Sequence, residues 1–359
     1  MLNITESLDI PPFSLEQQDK DNYLLKILSD LTQHHMQGCS QYNRILSTLG
    51  ISEPCFSSVG QIPFIPVRLF KDFELISVHK SDIVKTMTSS GTSGQKVSKI
   101  FLDKTTSMLQ TKVLSKIVAS FIGQKRLPML IIDSPSILKN RKLFSARGAG
   151  ILGFSIFGYD VTYALDEQMN LNFGQLQQFF DKHQNSPILL FGFTYMIWQH
   201  FYKPLKGKGI RLPINNGTLI HGGGWKKLAS EEVNNDVFKQ KILEVSGIKN
   251  ISNYYGMVEQ TGSIYMECEA GHLHTSIYSD ILIRDFKDFS VLEPGKQGII
   301  QLVSILPLSY PGHSILTEDI GEIIGKDNCS CGRKGTYFKV IGRIEKAEIR
   351  GCSDTYALT

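Results

Sequence analysis

The chain has 359 residues, 42% of them hydrophobic, and a formal net charge of +4. Folding at that length hides roughly 75% of the extended surface, enough for a large core and for about two domains. The mild positive charge forms no lysine- or arginine-rich block, which argues against nucleic acid, and no apolar run approaches the roughly 18 residues of a membrane span.

The opening residues, MLNITESLDIPPF, lack the basic head and apolar stretch of a secretory signal, so a cytoplasmic protein is expected. In that setting the six cysteines (Cys39, Cys55, Cys268, Cys329, Cys331 and Cys352) read as metal ligands or chemistry rather than a disulfide framework. Tyr23, Leu24, Ile27, Leu28 and Leu31 recur at spacings of three and four and predict a helix in the first fifty residues. Turns follow at Pro54, Pro63 and Pro66. Ser98 to Asp103 reads as a strand, 105–123 as a helix and Leu127–Asp133 as a short buried strand. Further helices are expected over 140–157, 173–183 and 194–203, with strands over 187–191 and Thr218–Ile220. That alternation predicts an α/β fold with buried parallel strands. From Gly262 onward, shorter segments broken by glycine and proline predict a β-rich, more antiparallel subdomain over about 262–340.

Met87–Lys96, MTSSGTSGQK, alternates small hydroxyl residues with glycine and closes on a lysine. It reads either as a flexible surface loop or as a phosphate cradle. In a cradle, glycines let backbone N–H groups approach an anion, hydroxyls donate further bonds and the lysine offsets charge. No Walker pattern can be drawn through it. Gly148–Gly153 satisfies GxGxxG by letter but follows a polar segment rather than a strand, so small residues in a packed helix account for it better.

Downstream come His221-Gly-Gly-Gly-Trp225, Asn253-Tyr-Tyr-Gly-Met-Val-Glu259, Thr317-Glu-Asp-Ile-Gly321 and Gly342-Arg-Ile-Glu-Lys346. With the hydroxyl-glycine loop, this ordered set resembles the adenylate-forming superfamily. Within it the set looks most like the phenylacetate–CoA ligase branch and the acyl-protein synthetases (LuxE type) of fatty-acid reductase complexes. The resemblance runs from about residue 60 to the end.

It implies the large α/β domain of an adenylate-forming enzyme, over 1–340, without the mobile C-terminal domain, followed by a short tail at 341–359. Thr88, Ser89, Ser90, Gly91, Thr92, Ser93, Gly94 and Lys96 would then face the β- and γ-phosphates of ATP. Gly223, Gly224 and Trp225, with Asn253, Tyr254, Tyr255, Gly256 and Met257, would line the adenine and the carboxylate. Glu259 would help hold Mg²⁺, a hard cation suited to oxygen ligands. Asp319 would accept hydrogen bonds from the ribose, with Arg343 nearby. Phe193 and Tyr195 are candidate acyl-chain contacts, although an aromatic stripe at helical spacing also reads as core.

The resemblance further implies that Cys352, in the tail Gly-Cys-Ser, accepts the acyl group. Cys268, Cys329 and Cys331 with a histidine would form a structural Zn²⁺ site, His274 fitting the relatives' turn better than His272. The implied partners are a fatty acid and an acyl reductase, with an acyl carrier or thioesterase as a further candidate. Two other functions are compatible with the same motifs. One is a truncated ligase that delivers its acyl group to CoA, a carrier protein or an amine; the other is a non-catalytic scaffold subunit.

Overall fold

The computed structural model describes residues 4–89, 96–139 and 146–344. Contacts divide the chain into two compact units. The first takes in residues 1–89, 95–121 and 256–348, and the second is built around 122–255.

In the first unit a long helix, Gln17–Gly38, buries Leu24, Leu28, Leu31 and His35, the stripe that a 3.6-residue period places on one face. A shorter helix, Ser40–Thr48, follows and buries Tyr42 and Leu46. Strand β1 (Ile65–Pro66) comes next, then β2 (Ile83–Thr88) and β3 (Lys99–Asp103), which pair as an antiparallel ribbon. The helix Lys104–Ile122 leaves β3 and buries Leu109, Val113, Ile117 and Val118.

The second unit is a parallel sheet of β4 (Leu127–Ile131), β5 (Gly158–Tyr163), β6 (Ile188–Phe193), β7 (Gly217–Gly222) and β8 (Asn250–Tyr255). Their order across the sheet is β8-β7-β6-β4-β5. All six residues of β6 are buried, the near-continuous apolar run that a strand covered on both faces requires. Of the helix expected over 140–157, residues 146–155 are helical, 156–157 turn and β5 begins at Gly158, while 140–145 lie outside the described residues. Gly148–Gly153 lies inside this helix. A Cβ on Gly150 would come within 2.9 Å of the Phe193 ring, which makes Gly150 a packing residue. Helices Phe173–His183 and Asn235–Ser246 carry side-chain caps from Asn172 and Asn234. After β6 the segment 194–207 is helical, with a π-helical turn at Trp198–Tyr202.

The chain then returns to the first unit with β9 (Tyr265–Glu267), β10 (Leu273–His274), β11 (Ser279–Arg284), β12 (Gln297–Ser304), β13 (Ser314–Lys326) and β14 (Thr336–Arg343). These run in the order β11-β12-β13-β14-β10-β9, and all of these pairings are antiparallel. Strand β1 joins β13 in parallel. Among the described residues, no helix is long and apolar enough to cross a membrane.

Candidate functional site

The hydroxyl-glycine loop springs from the β2–β3 ribbon. Its base is closed by two hydrogen bonds: the Ser89 N–H donates to the Ser98 carbonyl at 3.1 Å, and the Ser98 N–H donates to Ser89 Oγ at 2.9 Å. Thr88 ends β2 opposite Lys99. Lys96 is exposed, 3.6 Å from Asp72. Ser90, Gly91, Thr92, Ser93 and Gly94 lie outside the described residues.

In the second unit two further motifs stand at the carboxyl ends of parallel strands. β7 ends on His221-Gly222, and β8 ends on Asn253-Tyr254-Tyr255 beside it, with Gly222 opposite Tyr254. Gly222 is a glycine because a Cβ there would meet the Tyr254 ring at 2.5 Å. Gly223 (φ 77°) then turns the chain outward, so that Gly223 and Gly224 are exposed while Trp225 is buried against Trp198. Tyr254 packs in an aromatic group with Phe154 and Phe191. Buried His221 pairs its Nδ1 with Thr194 Oγ1 at 3.0 Å, and burial pushes its pKa down to about 3. Phe193 is buried at 3% exposure, whereas Tyr195 is half-buried.

Gly256 and Met257 belong to the first unit. Glu259 follows in a short turn and is 3% exposed. Its carbonyl accepts from the Tyr310 hydroxyl at 2.9 Å, which fixes the backbone that carries the carboxylate. Asp319 and Arg343 are directly opposite on β13 and β14. Arg343 Nε lies 3.5 Å from Asp319 Oδ1, and Nη2 lies 3.4 Å from Glu318 Oε2. This pairing depends on two irregularities in the ladder. Between Lys326↔Thr336 and Glu322↔Lys339, β13 carries one extra residue; between Glu322↔Lys339 and Asp319↔Arg343, β14 carries one. Each is a β-bulge.

The same unit holds the cysteines. Cys268, His274, Cys329 and Cys331 place their ligand atoms within 4.8 Å of one another. Cys268 Sγ and Cys329 Sγ are 3.9 Å apart, and Cys331 Sγ is 3.3 Å from His274 Nε2. A tetrahedral zinc with Zn–S near 2.3 Å and Zn–N near 2.0–2.1 Å has edges of about 3.8 and 3.5 Å, so the donor set fits that ion. The backbone supports the fit. Cys268 and Cys329 each open a tight turn in which the N–H three residues later, of Gly271 and Gly332, returns to the cysteine carbonyl. Burial pushes the Cys268 thiol up to about 12 and raises Cys329 as well. For Cys331 burial acts upward too, but hydrogen bonds from the Arg333 backbone and side chain outweigh it and leave the thiol below its ordinary value. His272 also stands near, with Nδ1 3.5 Å from Cys329 Sγ, but His274 completes the cluster.

One polar group belongs to none of the sequence motifs. Asp133 and Arg147 form a buried ion pair, with Arg147 Nε 3.1 Å from Asp133 Oδ2. Arg147 Nη1 donates to the Tyr195 hydroxyl at 2.9 Å. Burial raises the Asp133 carboxyl to about 6 despite Arg147 and a bond from the Ser134 N–H. The available signal was a carboxylate at the close of an otherwise apolar strand, LPMLIID.

The architecture is that of the adenylate-forming ligases. The fold is shared with 2-hydroxyisobutyryl-CoA ligase in its postadenylation state at a TM-score of 0.68, with 12% identity, over 94% of this chain and 70% of that one. The family profile described as acyl-protein synthetase, LuxE, matches residues 4–358, and the chain belongs to that family. It is 20% identical over 350 residues to the long-chain-fatty-acid–luciferin-component ligase of Vibrio harveyi, covering 94% of this chain and 88% of that protein. It is 22% identical over 347 residues to the protein of the same name from Aliivibrio fischeri, covering 91% and 86%. Cys352 falls outside the described residues.

Proposed function

We propose that the protein activates a fatty acid with ATP and Mg²⁺ as an acyl-adenylate, takes the acyl group onto its own Cys352, and passes it to an acyl reductase. The observation that carries this reading is the family match along nearly the whole chain. In the first step a carboxylate oxygen attacks the α-phosphorus, and the bond to the β-phosphate oxygen breaks to release pyrophosphate. The reaction brings two anions together, so positioning and charge compensation do most of the catalysis. Thr88, Ser89 and Lys96, with the glycine loop between them, are assigned to the phosphates. Glu259, held by the Tyr310 bond to its backbone, is assigned to Mg²⁺. Asp319, aligned by Arg343, is assigned to the ribose.

In the second step the Cys352 thiolate attacks the acyl carbon. The C–O bond to the adenylate breaks, AMP leaves with the electron pair, and a thioester remains. Tethering makes this step intramolecular, and the thiolate is the attacking form. The Cys268–His274–Cys329–Cys331 cluster is assigned to one structural Zn²⁺ that pins two hairpins and takes no part in the chemistry. A denaturing gel of protein incubated with ATP and labelled fatty acids tests the whole scheme. Hydroxylamine-sensitive label on the chain supports it. Pyrophosphate release without label points to an external acyl acceptor, and neither product points to a scaffold.

A further inference from the structure

Strand order in the second unit singles out one place. From β4 the chain moves to β5 on one side, then crosses to β6 on the other side of β4 and continues outward through β7 and β8. The sheet therefore changes direction between β4 and β6. In open parallel sheets, ligands lodge outside the carboxyl ends of the strands at such a switch point, because the two outgoing connections diverge there and leave a crevice.

Asp133 lies two residues beyond the end of β4, Tyr195 two beyond the end of β6, and Arg147 in the helix Ala146–Ser155 that leads into β5. These are the residues of the buried ion pair and its phenol. Asp133 and Arg147 have side-chain exposures of 1% and 4%, and Tyr195 in front of them is half-buried. A buried pair of charges loses much of its attraction to desolvation, so packing alone gives little reason to keep one. What it does supply is orientation: Asp133 holds Arg147, and Arg147 fixes the position of the phenol oxygen. A phenol that accepts a bond from a cation becomes a stronger donor through its own O–H.

We propose that the Asp133–Arg147–Tyr195 relay is the head-group anchor for the fatty acid. Tyr195 donates to the substrate carboxylate at the switch-point crevice, and Arg147 and Asp133 act as positioning residues. The assignment rests on the acid-activating reading above. It gives Tyr195 a polar role and brings in two residues outside the nucleotide motifs.

Equilibrium dialysis with labelled dodecanoate and labelled dodecanol, without ATP, separates head from chain. The wild-type protein should bind the acid more tightly than the alcohol. Tyr195→Phe should weaken the acid about ten- to hundredfold, the range for one hydrogen bond to a charged group, and leave the alcohol unchanged. Arg147→Lys should retain part of the preference, and Arg147→Met should lose it. Because Arg147→Met strands Asp133, the half-buried Tyr195→Phe variant is the deciding one. Equal binding of acid and alcohol by the wild type overturns the proposal. So does a Tyr195→Phe variant that changes neither ligand, or both alike. Acid-selective binding that depends on Tyr195, in a protein that shows no ATP–pyrophosphate exchange, would support the anchor while refuting the adenylation scheme.

Discussion

Asp319→Ala separates nucleotide binding from folding. The carboxylate is 20% exposed and its partner Arg343 32% exposed, with Arg343 also 3.4 Å from Glu318. An ion pair this close to solvent contributes no more than about 1 kcal/mol, and Arg343 keeps an acidic neighbour when Asp319 is removed. Stability should fall by less than about 1 kcal/mol, a shift of roughly 2–4 °C at most for a unit of this size. Hydrogen bonds to a charged group are worth about 1.5–3 kcal/mol each, and a ribose offers two hydroxyls. Losing about 3 kcal/mol in total raises the KM for ATP roughly 150-fold. ATP–pyrophosphate exchange at saturating fatty acid measures the KM, and a thermal melt of the same preparation measures stability. A KM within threefold of wild type would refute the ribose role. A melt lowered by ten degrees or more would show that the residue serves the fold instead.

Cys352→Ala should abolish hydroxylamine-sensitive acyl labelling and leave pyrophosphate exchange near the wild-type rate. If label persists, exposed Cys55 is a better second candidate than Cys39, which is 1% exposed. Metal analysis should find close to one zinc per chain, and Cys331→Ser should lose it and lower the melting temperature; metal-free protein of equal stability would show only buried thiols. Acid should destabilise the fold. His221 and His313 are held neutral by burial with pKa values near 3, so the unfolded chain binds more protons from pH 6.5 downward. Each contribution is intact at neutral pH and falls by about 2 kcal/mol by pH 5. Asp133, raised to about 6, takes its proton earlier in the fold and returns about 1 kcal/mol over that range. Urea midpoints should therefore drop from pH 7 to pH 5, less steeply in His313→Gln; equal slopes in the two proteins would refute the assignment.

Sequence periodicity carried the elements with one clear face. The Leu24–Leu28–Leu31 stripe sits inside Gln17–Gly38, and the apolar run of β4 is buried as its composition requires. Strand β5 was hidden because Phe154, Ile156 and Phe157 continue the apolar texture of the helix before it, while its own residues 159–161 face solvent. The helix Asn235–Ser246, capped by Asn234, buries Phe238, Ile242 and Val245 at spacings of four and three, so its face too is written in the sequence. The candidate metal ligands are legible by residue type, but the preference for His274 over His272 is a matter of angstroms. The Asp133–Arg147–Tyr195 relay joins three separate elements, so no spacing within the chain marks it.

The bulges of β13 and β14 have a consequence for how this sheet tolerates change. They are equal and opposite: one strand gains a residue near Ile323–Gly325, the other near Val340–Gly342. In a ladder of period two, losing a paired residue turns every later side chain to the opposite face. Ile324 and Ile341 are the residues left out of the cross-strand pairing, so deleting either one alone closes its own bulge and leaves the flanking pairs, Asp319 with Arg343 among them, in register. The two strands thus behave like two lines of text with one spare letter each, which can be struck out without moving the words on either side.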